Sequence, residues 1–78
     1  MVNNKMKNDR NNDIAVFIRN KRKEYKYTQE EFSIRSGLGL RFVRELEQGK
    51  LTLKMDKVIQ AVEFFGYQLT VRKMKNDE

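Results

Sequence analysis

The stretch 28–50, TQEEFSIRSGLGLRFVRELEQGK, decides the fold of this chain. Thr28 and Glu31 have the spacing of a capping box, in which the threonine hydroxyl and the glutamate carboxylate each accept a backbone N–H at the start of a helix. Gly37 and Gly49 then interrupt the pattern, and glycine readily adopts the left-handed backbone at which helices end. The stretch therefore predicts two short helices joined by a tight glycine turn, over residues 28–36 and about 39–48.

Two further helices are expected to flank this pair. Asp13 stands at an N-cap position before apolar residues at helical spacing, which predicts a first helix over about 13–24. Beyond the linker 51–53, apolar residues recur at the same spacing and predict a fourth helix that begins near Met55 and closes at Gly66. The chain contains no proline, which fits a fold built of uninterrupted helices.

The spacing of apolar residues changes after the fourth helix. Tyr67, Leu69 and Val71 alternate with polar residues, which is the two-residue repeat of a half-buried strand and predicts a strand over 67–72. A single strand leaves its backbone amides and carbonyls unpaired, and even a lone hairpin is marginal in water. We therefore expect this strand to pair antiparallel with the same segment of a second copy, in a homodimer.

The sequence divides into one domain with two short ends. Residues 1–12 are rich in Asn and charged side chains, and we expect a flexible arm because so few apolar groups cannot offset the entropy of ordering. Residues 13–73 form the domain and 74–78 a charged tail. The predicted fold class is all-α, with four to five helices and one C-terminal strand shared across the dimer.

Charge and composition favour a binding module over an enzyme. The chain has 17 Lys and Arg against 11 Asp and Glu, a net charge of +6, with no His and no Cys. These counts exclude a His/Cys zinc site, a Ser-His or Cys-His nucleophile pair and a disulfide, so we expect no catalysis, no cofactor and no metal. The lack of cysteine, of a membrane-length apolar run and of an apolar secretion signal predicts a cytoplasmic protein without a membrane partner.

Two short helices joined by a glycine turn form a helix-turn-helix, whose second helix enters the major groove of DNA. The run YTQEEF at 27–32, the pair Ser36-Gly37 and the run LEQGK at 46–50 resemble the phage-repressor-like (Xre/Cro) helix-turn-helix family. Within that family, three segments are similar to the HipB-type antitoxins: RFVRELEQGK at 41–50, KVI at 57–59 and the predicted strand at 67–72.

This resemblance implies that five positions around the third helix face the DNA groove: Gly39, Leu40, Arg41, Arg44 and Glu45. Gly39 and Leu40 depart from the family habit of Ser, Gln, Lys or Thr, and neither has a side-chain donor. Leu40 is assigned to a thymine methyl, and Arg41 to O6 and N7 of a guanine. Arg44 is assigned to a base or a phosphate. Glu45 has two open roles, accepting from a cytosine amine or orienting Arg41 or Arg44 within the protein.

The resemblance also places Gln29 at the phosphate clamp of the family, where a helix N-terminus favours an anion, with an ordinary solvated glutamine as the alternative. The other expected phosphate contacts are Thr28, Gly39, Lys50, Arg19, Lys26 and Lys23, with an ordinary solvated surface position as the alternative for each cation. Arg22 and Glu47 match a structural ion pair of the family and are assigned to the scaffold.

The HipB-like resemblance implies a dimeric repressor of its own operon that also neutralises a HipA-like serine/threonine kinase toxin. Two copies of the third helix would lie about 34–36 Å apart, which predicts a palindromic operator in double-stranded DNA. Two alternatives stay open. One is a stand-alone regulator without a toxin, and the other is a protein-interaction adapter that has lost DNA binding.

Overall fold

The computed structural model describes residues 12–74 of the 78-residue chain. Its four helices are α1, Asp13–Glu24; α2, Gln29–Ser36; α3, Leu40–Glu47; and α4, Met55–Phe64. The predicted all-helical architecture is therefore confirmed. Most of the predicted N-terminal arm and of the predicted tail lies outside the described residues.

Local side-chain chemistry explains where the helices begin. Thr28 and Glu31 form the predicted capping box: the Glu31 N–H donates to Thr28 Oγ1 at 3.0 Å, and the Thr28 N–H donates to Glu31 Oε1 at 2.9 Å. The prediction of Asp13 as the N-cap of α1 was wrong by one residue. Asn12 is the cap, because its Oδ1 accepts from the Ala15 N–H at 2.7 Å, and Asp13 is the first helical residue.

Left-handed residues end the helices. Gly37 closes α2 at a φ of 81°, as its position in the sequence predicts. Gly49, at a φ of 86°, lies just after α3. There the Lys50 N–H donates to the Glu45 carbonyl, and the Gly49 N–H donates to the Leu46 carbonyl, each at 3.1 Å. This paired pattern is a Schellman motif, which fixes the direction of the chain leaving α3.

The core lies where α1, α2 and α4 meet the inner face of α3. Ile18, Phe32 and Val43 are its largest fully buried side chains. Phe65, which follows α4, stacks on Phe32 with ring centroids 5.1 Å apart. Among residues 12–74, the buried cluster consists of Ile18, Phe32, Leu38, Val43, Leu46, Val58, Ala61, Val62 and Phe65. This single apolar cluster holds the helices together and leaves the other face of α3 free.

The segment that follows α4 is anchored at its start only. Residues 67–74 form neither helix nor strand in the single chain. The Tyr67 ring packs edge-on against Phe17 with a centroid separation of 4.8 Å, and Leu69 packs against the core. Val71, which shares the predicted apolar face, is 93% exposed. The predicted half-buried face is therefore partly covered at Tyr67 and Leu69 and open at Val71 within one protomer.

Candidate nucleic-acid interface

The turn between α2 and α3 is held by hydrogen bonds as well as by its glycine. Ser33 Oγ donates to the Leu38 carbonyl at 2.6 Å, and the Leu38 N–H donates to Ser36 Oγ at 3.2 Å. Gln60 of α4 donates from Nε2 to the Ser36 carbonyl at 2.8 Å. The bond from Ser33 to the turn was not predicted from the sequence. Together these contacts fix α3 relative to α2.

The two faces of α3 differ sharply in burial. Val43, Leu46 and Glu47 form the buried inner face. On the outer face, the Arg41 side chain is 91% exposed and the Arg44 side chain is 52% exposed. The outer face therefore presents two guanidinium groups to solvent on a helix whose inner face is fixed in the core.

A buried ion pair joins α1 to the end of α3. Arg22 donates from Nε to Glu47 Oε2 at 2.7 Å and from Nη2 to Glu47 Oε1 at 3.0 Å. Arg22 Nη1 also donates to the Tyr27 carbonyl at 2.9 Å, in the connection that leads into α2. Only 3% of the Glu47 side chain is exposed. Charge-assisted bidentate bonds of this kind fix orientation as well as distance, so the pair sets the position of α3 on the scaffold.

The residues at the start of α2 lie close to this ion pair. Gln29, predicted to clamp a phosphate, donates from Nε2 to Glu47 Oε1 at 3.1 Å. Thr28 is exposed, and its hydroxyl accepts from the Glu31 N–H, which leaves the hydroxyl proton available for a further acceptor. Gln29 is therefore oriented by the scaffold beside the exposed helix N-terminus.

Carboxylates hold the cations of the outer face loosely. Glu45 Oε2 lies 3.4 Å from Arg41 Nε and 3.4 Å from Lys50 Nζ. Arg44 Nη2 lies 3.7 Å from Glu30 Oε2 of α2. The pair between Arg44 and Glu30 connects two helices and was not predicted from the sequence. These long, partly solvated contacts are weak compared with the bidentate pair on the inner face.

The remaining predicted phosphate contacts have different surroundings. Arg19 donates from Nη1 to the Glu47 carbonyl at 2.5 Å, so its guanidinium stabilises the end of α3. Lys26 is exposed in a turn where its φ is 61°, and Lys23 is exposed at the end of α1. Gly39 is exposed before α3, and no described atom outside residues 38–40 lies within 4 Å of the position that a Cβ would take there. Leu40, the first residue of α3, is half-buried.

Within residues 12–74 there is no cluster of three or more metal-ligating side chains. The helices of this region are also too short and too polar to cross a membrane. The described residues do present the pair α2 and α3, held in fixed orientation by the turn, and an exposed basic outer face on α3.

Comparison with known proteins places this helix pair in a family. A family model described as "Helix-turn-helix" matches residues 18–71, a range that contains α2, the turn, α3 and α4. The chain therefore belongs to the helix-turn-helix family. It is also similar to y4mF, an uncharacterised HTH-type transcriptional regulator of Sinorhizobium fredii (strain NBRC 101917 / NGR234). The two are 37% identical over 59 residues, which cover 76% of this chain and 78% of the relative. No solved structure matches.

Proposed function

We propose that this protein is a sequence-specific DNA-binding transcriptional regulator that acts as a repressor. The observation that carries the proposal is the two-faced α3, with its inner face fixed by the core and by Glu47, and Arg41 and Arg44 exposed on its outer face. A recognition helix needs this combination, because base contacts require side chains that reach out from a rigid support. Membership of the helix-turn-helix family and the name of the relative support a DNA-binding transcriptional regulator, and the repressor role rests on the resemblance to the phage-repressor-like family.

In this proposal α3 lies in the major groove with its N-terminal half toward the bases. Arg41 pairs with O6 and N7 of a guanine, and Leu40 contacts a thymine methyl. Arg44 reads a base or holds a phosphate. Gly39 has free space around its Cα, which allows the backbone to approach the DNA closely.

Phosphate contacts then fix the position of the protein on the duplex. Gln29 and Thr28 meet a phosphate at the N-terminus of α2, where the helix dipole and the N–H groups that the capping box does not pair favour an anion. Lys50 and Lys26 reach neighbouring phosphates as point charges. The contact of Arg19 with the Glu47 carbonyl supports a scaffold role for this residue in addition to any phosphate contact.

Selection from a pool of random duplexes of about two helical turns, followed by binding measurements on the enriched sequence, tests this function. We expect enrichment of a palindrome and a steep loss of affinity between about 50 and 200 mM salt, since phosphate contacts release counterions. Arg41→Ala should weaken binding to the enriched duplex. Arg35→Ala is the matched control and should leave binding unchanged. Arg35 lies in α2 and not on the outer face of α3, and its guanidinium carbon packs 4.9 Å from the centroid of the Tyr27 ring. Failure to bind any duplex would support a protein-interaction adapter instead.

The palindrome follows from a proposed homodimer. Val71 is almost fully exposed, and Leu69 and Tyr67 border an open apolar groove of about 230 Å³ that Phe17 and Val62 also line. An exposed apolar edge beside an apolar groove favours burial against another chain. The same segment of a second copy, paired antiparallel as a strand, would cover both features and satisfy the backbone.

Sedimentation velocity at micromolar concentration tests the dimer. We expect a dimer for the natural chain and a monomer for Val71→Lys, which introduces a charge at the proposed seam. Thr70→Lys is the control, because the neighbouring residue of an alternating strand points to the opposite face. A monomeric natural chain would contradict the proposed strand pairing.

The finer proposal is that this regulator is also the antitoxin of a HipA-like kinase, and that it represses its own operon. It rests on the resemblance of residues 41–50, 57–59 and 67–72 to HipB-type antitoxins. Purification from the native host followed by mass spectrometry tests it. A stoichiometric serine/threonine kinase would support the antitoxin role, and a protein that purifies as its own dimer would support the stand-alone regulator. Arg41→Ala should leave a kinase complex intact, since Arg41 lies on the proposed DNA face.

A further inference from the structure

The Glu45 carboxylate is shared by two of the cations that would face DNA. Glu45 Oε2 is shared between Arg41 Nε and Lys50 Nζ, at 3.4 Å from each. Arg41 lies one turn earlier in α3, and Lys50 lies beyond the end of the helix, so Glu45 links the proposed base reader with a proposed phosphate contact. Its side chain is 26% exposed, much less than that of Arg41. The charge of Glu45 is therefore only partly screened by water.

The backbone fixes this arrangement from the Lys50 side. The Lys50 N–H donates to the Glu45 carbonyl in the Schellman motif that follows α3. Gly49 supplies the left-handed conformation that this motif needs, at a φ of 86°. Lys50 and Glu45 are therefore held as neighbours by main-chain bonds, and their side-chain contact costs little additional ordering.

A negative charge at this position opposes binding to any polyanion. The Debye length at physiological ionic strength is about 8 Å, so Glu45 would repel phosphates that approach Arg41 or Lys50 closely. It also neutralises part of the charge of both cations in the free protein. Non-specific binding depends almost entirely on such cations, whereas specific binding adds base contacts. A shared carboxylate therefore weakens non-specific binding more than specific binding.

We infer that Glu45 is a specificity-determining residue. Its carboxylate positions the side chains of Arg41 and Lys50 and partly neutralises their charge. This inference rests on the proposed placement of α3 in the major groove. On non-cognate DNA the carboxylate keeps both cations partly neutralised and repels phosphate. On the operator, a correctly placed guanine accepts from Arg41 and replaces Glu45 as its partner. The carboxylate thus lowers affinity for the wrong sequence, which is discrimination by a repulsive element.

Glu45→Gln in the full chain tests the inference, because glutamine keeps the size of the side chain and removes its charge. The two probes are the duplex enriched by the natural chain and the unselected random pool, each measured between about 50 and 200 mM salt. We expect affinity for the random pool to rise about tenfold. Its logarithmic salt slope should steepen by about 1 to 2, because each additional phosphate that the protein neutralises adds about 0.9 to the slope. The preference for the enriched duplex should fall by less than this tenfold rise, about threefold, because the charge of Glu45 beside Lys50 also opposes phosphate contact on the operator.

Two further variants separate this role from simpler ones. Glu63→Gln makes the same change of charge on an exposed position of α4, and it should change neither the preference nor the salt slope. In a Lys50→Met background, Glu45→Gln should steepen the salt slope by about 1 less than it does in the natural chain. The reason is that Lys50, one of the two side chains that Glu45 neutralises, is absent there. Thermal unfolding monitored by circular dichroism verifies that each variant is folded.

Several outcomes would overturn the inference. An unchanged preference and salt slope in Glu45→Gln would remove any specificity role for this residue. An equal response in Glu63→Gln would reduce the effect to net charge. If Glu45→Gln lost affinity for the enriched duplex alone, and the loss depended on the identity of one base pair, Glu45 would be a direct reader of that base. Failure of the natural chain to bind either probe would reject the proposed function itself, and with it this inference.

Discussion

Glu45 and Glu47 are two residues apart in α3, yet they lie in opposite environments. Glu47 is buried and binds Arg22 through two bonds of 2.7 and 3.0 Å. Glu45 lies on the outer face and contacts Arg41 and Lys50 at 3.4 Å each. The helical rotation of about 100° per residue separates the two side chains by about 200°, so these two acidic positions face the solvent and the core. The helix α3 thus carries one carboxylate that stabilises the fold and another whose cationic partners can bind DNA instead.

An ion pair between a carboxylate and a cationic side chain has one role when it is buried, as at Glu47, and another when it is exposed, as at Glu45. Removing one partner of a buried ion pair leaves an uncompensated charge, which costs about 3–5 kcal/mol. An exposed pair contributes about 0–1 kcal/mol and is screened by salt. The inner pair therefore stabilises the fold, and the outer contacts are weak enough to be replaced by DNA.

The largest effect is expected at the inner face. Arg22→Ala should lower the free energy of unfolding by about 3 kcal/mol, the lower end of the range for buried pairs, because the Arg22 side chain is 14% exposed. Urea denaturation measures the loss. Arg44→Ala is the control on the outer face, and its effect should stay within about 1 kcal/mol. Equal destabilisation by the two variants would contradict the division between the faces.

The next effect concerns DNA binding by the outer face. Arg41→Ala should weaken binding to the operator by about 1–3 kcal/mol and relax the preference at one base pair in each half-site. Its stability should be close to that of the natural chain, since the Arg41 side chain is exposed. Fluorescence anisotropy with singly substituted duplexes measures the affinity and the preference. An equal loss on random DNA would make Arg41 a phosphate contact.

Gln29 connects the two faces, and its replacement should affect both properties moderately. Gln29→Ala removes the bond to Glu47 Oε1, so the free energy of unfolding should fall by about 1 kcal/mol. If Gln29 also holds a phosphate, affinity for operator and random duplexes should fall by the same factor, because phosphate contacts carry no sequence information. Loss of stability with unchanged DNA affinity would restrict Gln29 to the scaffold.

The smallest effect is expected at Glu30, whose contact with Arg44 is long and exposed at both ends. Glu30→Gln should change the free energy of unfolding by no more than about 0.5 kcal/mol, because exposed pairs contribute little. Urea denaturation again provides the measurement, with Glu63→Gln as a charge-matched control. A loss above about 1 kcal/mol would show that the outer contacts also stabilise the fold.

Signals between close neighbours in the chain made much of the fold predictable. The capping box of Thr28 and Glu31 and the position of Gly37 depend on residues within one or two turns, so the boundaries of α2 follow from the sequence. The N-cap of α1 was misplaced because Asn12 and Asp13 are adjacent and both residue types cap helices well. The backbone conformation, which the sequence does not specify there, selected Asn12.

The candidate site was harder to predict because its contacts join distant parts of the chain. Arg19 is bonded to the Glu47 carbonyl, 28 residues away, and spacing alone does not distinguish it from a free cation. Glu30 meets Arg44 only because the turn brings α2 and α3 together. Arg41 and Arg44 are exposed on the outer face, and the assignment of this row to a DNA groove stays a prediction.

The sequence by itself determined the helices, the glycine turn and the two faces of α3, because hydrogen bonds and apolar periodicity within a helix act over a few residues. The resemblance had assigned Arg22 and Glu47 to the scaffold, and only the tertiary structure decided how firmly each charged group is held and that Arg19 also belongs to the scaffold. Glu47 becomes structural where α1 brings Arg22 to it, whereas Glu45 stays beside Arg41 at the surface. Burial and partner geometry arise from packing between helices, and they set the strength of each ion pair.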